Sequence, residues 1–213
     1  ADGKLFARLK AHQRGAVDVE VFTTCTLRES DWRNDLPAGD SHDGDFLVHR
    51  FPIDAYDKDR HDRAFRTIIE KQSDVSDDVE ADYLANSVQS SALIAALRTR
   101  IAEFDAVIVG PYPHGLAYRV AEAFGEKVLL LPCFHDEPLA RLRAWANVYG
   151  EVGGLLYHTP EEREFAEISL GMNHPGAAVI GTCLAVMDAD TPHPRPLARK
   201  RRGEQAASTC ADN

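Results

Sequence analysis

The sequence predicts an open, doubly wound α/β domain, with a mostly parallel sheet and helices on both faces. From Ala92 onward, helical and extended patterns alternate regularly along the chain. The extended runs, such as AVIV at 106–109 and VLLL at 128–131, are continuously apolar, which is typical of parallel strands covered by helices. We therefore expect one domain over residues 1–186, followed by a different segment over 187–213.

Composition excludes several classes of protein. The 213 residues are 44% hydrophobic, which is enough for a full core, and the net charge of −10 argues against nucleic acid as a partner. We find no run of about 18 apolar residues that would span a membrane and no apolar signal-peptide core in ADGKLFARLKAHQ. The four cysteines are widely spaced, so we expect a cytoplasmic protein without a disulfide framework.

The first half of the chain contains fewer clear patterns. Leu5, Phe6 and Leu9 predict a helix over Lys4–Gln13, and alternation over residues 17–21 predicts a strand. The Asp- and Gly-rich residues 39–44 indicate a turn, and Phe46–Phe51 is predicted as a strand near the edge of the sheet.

The second half predicts a βαβ series. A helix with Leu93, Leu97, Ile101 and Phe104 on one face comes first. The expected elements that follow are a strand at 106–110, a helix at 115–124, a strand at 127–132, a helix at 138–149, a strand at 154–158, a helix at 160–170 and a strand at 178–181.

Two charged segments receive no function. Residues 187–213 contain three closely spaced prolines and the basic run RKRR at 199–202, which together predict a solvated linker or tail. The acidic stretch SDVSDDVEAD at 73–82 lacks the spacing of a calcium loop, so we expect a solvated loop or helix start.

Ligands of open α/β sheets bind at the carboxyl ends of the strands, which selects four loops as candidates. These are residues 23–26, 111–115, 133–138 and 158–160. In the third loop, Pro138 suits the first turn of a helix, so Asp136 and Glu137 are expected to cap that helix. His135 is a poor cap, and its imidazole can hydrogen-bond a polyhydroxylated ligand; the residues alone leave a ligand-binding and a structural role equally open.

The loop at 111–115 allows two interpretations. Tyr112 and His114, beside the close-packing Gly115, fit the rim of a sugar or nucleotide pocket, but a structural turn with Tyr112 covering the core is favoured. Residues 159–162, TPEE, form a capping box. The chain has no dinucleotide, Walker or hydrolase-elbow motif, and His114, His135, Asp136 and His158 lack the compact spacing of a metal site. We expect no metal and no cofactor.

Six stretches together resemble the N-terminal domain of family 4 glycosyltransferases over residues 4–184. They are VEVFTTCT (19–26), FLVHRFPID (46–54), FDAVIVGPYPHGLAYRVAEAFG (104–125), VLLLPCFHDEPLARL (128–142), GGLLYHTPEEREFAEISLG (153–171) and AAVIGTCL (177–184). Such retaining enzymes have the GT-B arrangement, in which two Rossmann-like domains face each other across a cleft. The N-terminal domain holds the acceptor, and the C-terminal domain binds a sugar nucleotide as co-substrate.

The resemblance implies roles for individual residues. His135 lies where the family places a histidine that reaches the donor sugar, and Thr24, Tyr112 and His114 would border the acceptor. Asp136, Glu137 and His158 are assigned to substrate binding in the same loops. The implied partners are a sugar nucleotide and a glycan or glycolipid acceptor, the latter with peripheral membrane association.

The chain also departs from the family pattern. No two glutamates lie eight positions apart, as they do in the family's second domain, and no strand with a Gly-rich turn precedes the first predicted helix. We therefore expect the C-terminal donor domain to be missing and this chain alone to be inactive. The alternatives are a non-catalytic glycan-binding module, a partner of a separate donor domain, and a sugar-nucleotide epimerase.

Overall fold

The computed structural model describes residues 17–28 and 31–181, which contain two sheets and their helices. The first sheet has three strands, β1 (Glu20–Thr24), β2 (Gly39–Asp43) and β3 (Phe46–Phe51). Their order is β1-β3-β2; β1 pairs with β3 in parallel, and β2 pairs with β3 antiparallel.

The second sheet is entirely parallel. Its strands are β4 (Val107–Val109), β5 (Val128–Leu130), β6 (Gly154–Tyr157) and β7 (Ala177–Val179), which lie side by side in that order. The register places Val107 beside Val128 and Leu130 beside Leu155. A parallel sheet flanked by helices confirms the predicted α/β, Rossmann-like fold class.

Within the described residues, six α-helices connect and cover these strands. They are α1 (Lys58–Lys71), α2 (Asp77–Ala85), α3 (Ser91–Arg100), α4 (Gly115–Phe124), α5 (Arg143–Tyr149) and α6 (Pro160–Glu164). Short 3-10 turns span Ile101–Glu103, Gly125–Lys127 and Pro138–Arg141, and a π-helical turn spans Phe165–Ser169. Helices α4, α5 and α6 form the crossovers between the strands of the second sheet.

One hydrophobic core joins these elements. Trp145, Tyr157 and Leu155 are fully buried at its centre, and Leu93 and Leu97 contribute the predicted apolar face of α3. Burial of each such side chain contributes on the order of 2 kcal/mol to folding.

Several expectations about local structure were wrong. Phe46–Phe51 forms a strand as predicted, but that strand lies between β1 and β2 and not near an edge. Residues 39–43 form β2, and the predicted turn is confined to Gly44 and Asp45; β2 pairs with β3 through backbone hydrogen bonds that side-chain type does not encode. The helix expected over 138–149 is interrupted at Leu142, which has extended φ and ψ of −64° and 134°.

Helix α5 begins after that break because a residue distant in sequence caps it. The Glu80 side chain is 3% exposed, and its carboxylate accepts the backbone N–H groups of Arg143 at 3.2 Å and Ala144 at 2.9 Å. Residues 73–82 were expected to form a solvated loop or a helix start; α2 begins within them at Asp77, which confirms the helix start, but Glu80 is buried and not solvated. An anionic carboxylate at a helix N-terminus complements both the unpaired N–H groups and the helix dipole.

Some expectations fall on residues outside the described ranges. These are the helix at Lys4–Gln13, the boundary at residue 186, and the tail at 187–213 with its basic run.

A partly buried charge cluster connects β1 to α3. Arg100 donates to both carboxylate oxygens of Glu20, at 2.6 and 2.9 Å. Oε2 of Glu20, the oxygen 2.6 Å from Arg100, also lies 2.8 Å from Nε2 of His49, whose Nδ1 is 2.7 Å from Asp40. The hydrogen bonds from Arg100, assisted by His49 and opposed by burial, lower the pKa of Glu20 from 4.5 to about 2.

This cluster predicts a loss of stability in acid. Because the pKa of Glu20 is lower in the folded chain, its contribution is full above pH 4.5 and disappears as the pH falls towards 2. Between pH 4.5 and about 2, the free energy of unfolding should decrease in both proteins. We expect the decrease in the unsubstituted chain to exceed that in Glu20→Gln by on the order of 2 kcal/mol. Urea denaturation at stepped pH measures this difference.

The control is Glu151→Gln, because the Glu151 side chain is exposed. That variant should retain the acid-dependent loss. Identical pH profiles for Glu20→Gln and the unsubstituted chain would contradict the assignment.

Gly115 predicts a second effect on stability. A Cβ at this position would lie 2.6 Å from the carbonyl oxygen of Leu84, and the Gly115 N–H donates to Ser87 Oγ at 2.9 Å. Because α4 begins here against α2, Gly115→Ala should lower the free energy of unfolding by on the order of 2 kcal/mol.

Gly150→Ala provides the matched control for that denaturation experiment. Gly150 has helical φ and ψ, and no atom lies within 4 Å of an added Cβ, so this variant should be neutral or slightly more stable. Equal stabilities for the two alanine variants would refute the steric explanation.

Candidate functional site

A cleft of about 570 Å³ lies at the carboxyl ends of β4 and β5. One group of lining residues comes from the loops that follow these strands; a second comes from α1, from α2 and from the segments around Trp32 and Tyr56. The lining residues are Trp32, Tyr56, Lys58, His61, Asp62, Phe65, Tyr83, Pro111, Tyr112, Pro113, His114, Cys133, His135, Glu137 and Leu139. The location agrees with the rule that placed ligands at this edge of the sheet.

His135 presents an exposed side chain to this cleft. Its backbone carbonyl accepts the N–H of Glu137 at 2.8 Å, which forms a tight turn before Pro138. The preceding residue, Phe134, is instead buried in the core and is 6% exposed. The turn thus holds Phe134 in the core and leaves the imidazole accessible to a ligand.

Tyr112 is buried, with only 2% of its surface exposed, so its ring is part of the core edge. The ring packs against Phe134 at 5.1 Å and Trp145 at 6.1 Å, and its hydroxyl donates to Oε1 of Glu137. Burial, followed by the hydrogen bond to Glu137, raises the pKa of Tyr112 far above its ordinary value. The phenol therefore stays protonated and holds the Glu137 carboxylate beside His135.

Asp136 and Glu137 were expected to cap the following turn, but neither side chain does so. Glu137 occupies the N-cap position of Pro138–Arg141 without a side-chain cap, because its carboxylate accepts from Tyr112. Asp136 forms an ion pair with Arg141 at 2.8 Å, and its side chain is 75% exposed. Asp136 does not line the cleft.

His114 lines the cleft from the loop after β4. It occupies the N-cap position of α4, and its backbone carbonyl accepts the N–H of Tyr118 at 3.2 Å. The position of His114 therefore depends on the start of α4, which Gly115 packs against α2.

His158 does not line the cleft, but it contacts one of the lining residues. Its Nε2 is 3.1 Å from Sγ of Cys133. Cys133 lies after the end of β5 and has a positive φ of 59°. Burial, and then the negative charge of Glu162, raises the pKa of Cys133 to about 11. At neutral pH the thiol is protonated and is therefore a poor nucleophile; it donates to the Leu131 carbonyl at 3.8 Å and lies within hydrogen-bond distance of the His158 imidazole.

Glu162 fixes the two loops that carry Cys133 and His158. Its buried carboxylate accepts the N–H of Phe134 at 2.8 Å and that of His158 at 2.7 Å. Thr159 Oγ1 accepts the N–H of Glu162 at 3.1 Å, which confirms half of the predicted capping box. The second half differs, since the Glu162 side chain reaches neighbouring loops and not the N-cap backbone.

Thr24 lies elsewhere, at the end of β1, with 7% of its surface exposed. It is not among the residues that line the cleft. The structure therefore brings together Tyr112, His114, His135 and Glu137, and leaves Thr24, Asp136 and His158 outside the lining.

Sequence analysis missed the second group of lining residues. Trp32, Tyr56, His61, Phe65 and Tyr83 are aromatic and come from a part of the chain to which no ligand role was given. The spacing of His61 and Phe65, four residues apart in KDRHDRAFRTII, was a usable signal for one face of α1.

Comparisons with protein-family models, with curated proteins and with solved structures found no match to this chain. Within residues 17–28 and 31–181, no helix is long and apolar enough to cross a membrane. The same described residues contain no group of three or more His, Cys, Asp or Glu side chains placed to hold a metal ion.

The environment of Cys133 predicts slow alkylation. At pH 8, a pKa near 11 leaves little thiolate, and the greater nucleophilicity of a high-pKa thiolate offsets only part of this loss. We expect iodoacetamide to modify Cys133 about tenfold more slowly in the folded chain than in urea. Peptide mass spectrometry with Cys133→Ser as the assignment control measures the rate, and equal rates in the two conditions would contradict a protonated, partly buried thiol.

Proposed function

We propose that this chain is the acceptor-binding half of a retaining GT-B glycosyltransferase, which transfers a sugar from a sugar nucleotide to a glycan or glycolipid. The observation that supports it most directly is the exposed His135 imidazole in a cleft at the carboxyl edge of a parallel sheet. The resemblance of HDEP and the following TPEE helix to family 4 glycosyltransferases supports the same assignment.

The cleft suits an acceptor because it combines fixed hydrogen-bonding groups with an accessible volume. Glycosyl transfer requires an acceptor hydroxyl held close to the anomeric carbon while positive charge develops there. His135 can accept a hydrogen bond from such a hydroxyl. The Glu137 carboxylate, oriented by Tyr112, would bind a second hydroxyl.

The charges around the cleft disfavour a complete donor site. A leaving nucleotide phosphate needs cationic groups or converging N–H donors. Lys58 is the one lysine or arginine among the described lining residues, and its ammonium is paired with Asp62 at 2.6 Å. This supports a division of labour in which a separate domain binds the sugar nucleotide and this chain binds the acceptor.

A non-catalytic glycan-binding module is the second candidate. The ion pair between Lys58 and Asp62 favours it, because it leaves no unpaired lysine or arginine among the described lining residues to bind a nucleotide phosphate. Both candidates require a saccharide in the cleft, and they differ in whether sugar transfer occurs there.

The test combines binding with turnover. We expect methyl glycosides to shift the NMR signals of Tyr112, His114 and His135, and His135→Ala to weaken that binding about tenfold, the loss of roughly one hydrogen bond to the ligand. His42→Ala is the matched control, because His42 is exposed on β2, outside the cleft residues.

Assays with sugar nucleotides and acceptor glycans, using the chain alone and mixed with a family 4 donor-binding domain, separate the two candidates. Transfer that depends on His135 supports the transferase, and saccharide binding without transfer supports the module. Absence of any saccharide-induced signal shift in the cleft would overturn both.

A further inference from the structure

The aromatic residues of the cleft form a continuous cluster. Trp32 contacts Tyr56 with ring centroids 5.2 Å apart and His61 at 4.9 Å, and His61 contacts Tyr83 at 5.1 Å. Phe65 lies 6.4 Å from both His61 and Tyr83. We name Trp32, Tyr56, His61, Phe65 and Tyr83 the aromatic group.

The members of this group differ in exposure. Tyr83 is 3% exposed, and the His61 side chain is 14% exposed, so these two rings form a fixed base. Phe65 is 39% exposed, and Trp32 and Tyr56 are half-buried. The partly exposed rings leave apolar surface in contact with solvent. A ligand that covers this surface would gain about 25 cal/mol of binding free energy per Å² buried.

The geometry of these rings suits a flat apolar partner. The Trp32 plane is tilted by 57° from Tyr56 and by 77° from His61, whereas His61 and Phe65 lie within 9° of parallel. Neighbouring ring faces and edges at these angles match the edge-to-face and offset arrangements that aromatic rings prefer. An added ring can therefore contact one face and one edge together.

The charges of the cleft favour an uncharged ligand. Lys58 and Asp62 neutralise each other at 2.6 Å. One oxygen of the Glu137 carboxylate accepts from the Tyr112 hydroxyl, and the other can accept from an uncharged ligand hydroxyl but would repel an anionic group. A charged substituent would have to compete with these pairs and lose its own hydration.

From this arrangement we propose that the aromatic group binds a flat, uncharged aromatic ring carried by the acceptor. The acceptor is then an aryl glycoside or a similar hydroxylated molecule with an aromatic aglycone. Its hydroxyls face His135 and Glu137, while its ring lies on Phe65 and Trp32. The saccharide part of this ligand rests on the proposed function, whereas the aromatic part is inferred from the aromatic group alone.

Tryptophan fluorescence reports on this interaction. The chain has two tryptophans; Trp32 lines the cleft, and Trp145 has no exposed surface. Phenyl and methyl β-glycosides of glucose, galactose and mannose are titrated as matched probes, with phenol as the probe that lacks a sugar. We expect a phenyl glycoside to bind at least tenfold more tightly than its methyl counterpart and to change the emission of Trp32.

Phe65→Ala should abolish this preference for the phenyl glycoside. Because Phe65 is partly exposed, the variant is expected to fold, and circular dichroism with thermal melting checks this. Ile168→Ala is the control, since Ile168 is 75% exposed and lies outside the cleft lining. Trp32→Phe, which retains a ring, should keep the preference when binding is followed by calorimetry.

The outcomes separate this inference from the proposed function. Equal binding of phenyl and methyl glycosides overturns the aromatic-ring inference and leaves the saccharide site intact. Phenol binding as tightly as the phenyl glycosides supports the ring inference and contradicts a saccharide site. If no phenyl probe binds, the ring inference is overturned, and if no glycoside binds, the proposed function is overturned with it.

Discussion

The shape of the candidate site depends on one buried carboxylate. Glu162 accepts backbone N–H groups from two adjacent loops, those of Phe134 after β5 and His158 after β6. Hydrogen bonds to a charged acceptor contribute about 1.5–3 kcal/mol each, and an unsatisfied N–H at this depth would be costly. Glu162 therefore fixes both loops relative to α6, and the position of the HDE turn follows from this constraint.

The hydrogen bonds to Glu162 also explain why the apolar strand β5 is followed so closely by the polar residues 135–137. With the Phe134 N–H held by Glu162, its ring packs against Tyr112 and Tyr149 in the core. The next side chain, His135, then faces solvent. Glu137 returns towards Tyr112, so a single turn presents an accessible imidazole beside a carboxylate of fixed orientation.

Sequence patterns predicted those parts of the fold that depend on local residues. The strand at 46–51, the helix at 115–124 and the Thr159 cap agree with the structure, because apolar periodicity and capping chemistry act over a few residues. The interruption at Leu142 depends on Glu80, more than 60 residues away, and β2 depends on pairing with β3. Neither interaction leaves a local signal.

The candidate site follows the same division between local and distant interactions. The loops after β4 and β5 were found because the carboxyl ends of parallel strands meet at one edge. The aromatic group was missed because its residues come from α1, α2 and two irregular segments, whose convergence depends on tertiary packing. Asp136 belongs to the predicted loop after β5, but it forms an ion pair with Arg141 and does not line the cleft.

Helix α2 has a consequence for how a ligand would be received. Tyr83 lines the cleft, and Glu80, three residues earlier on the same helix, closes the N-terminus of α5. Trp145 of α5 packs edge-on against Tyr112, so the cleft residues Tyr83 and Tyr112 are connected through α2, Glu80 and α5. A cleft connected in this way is preorganised, so an occupant would lose little affinity to ordering the protein and would be selected by its shape.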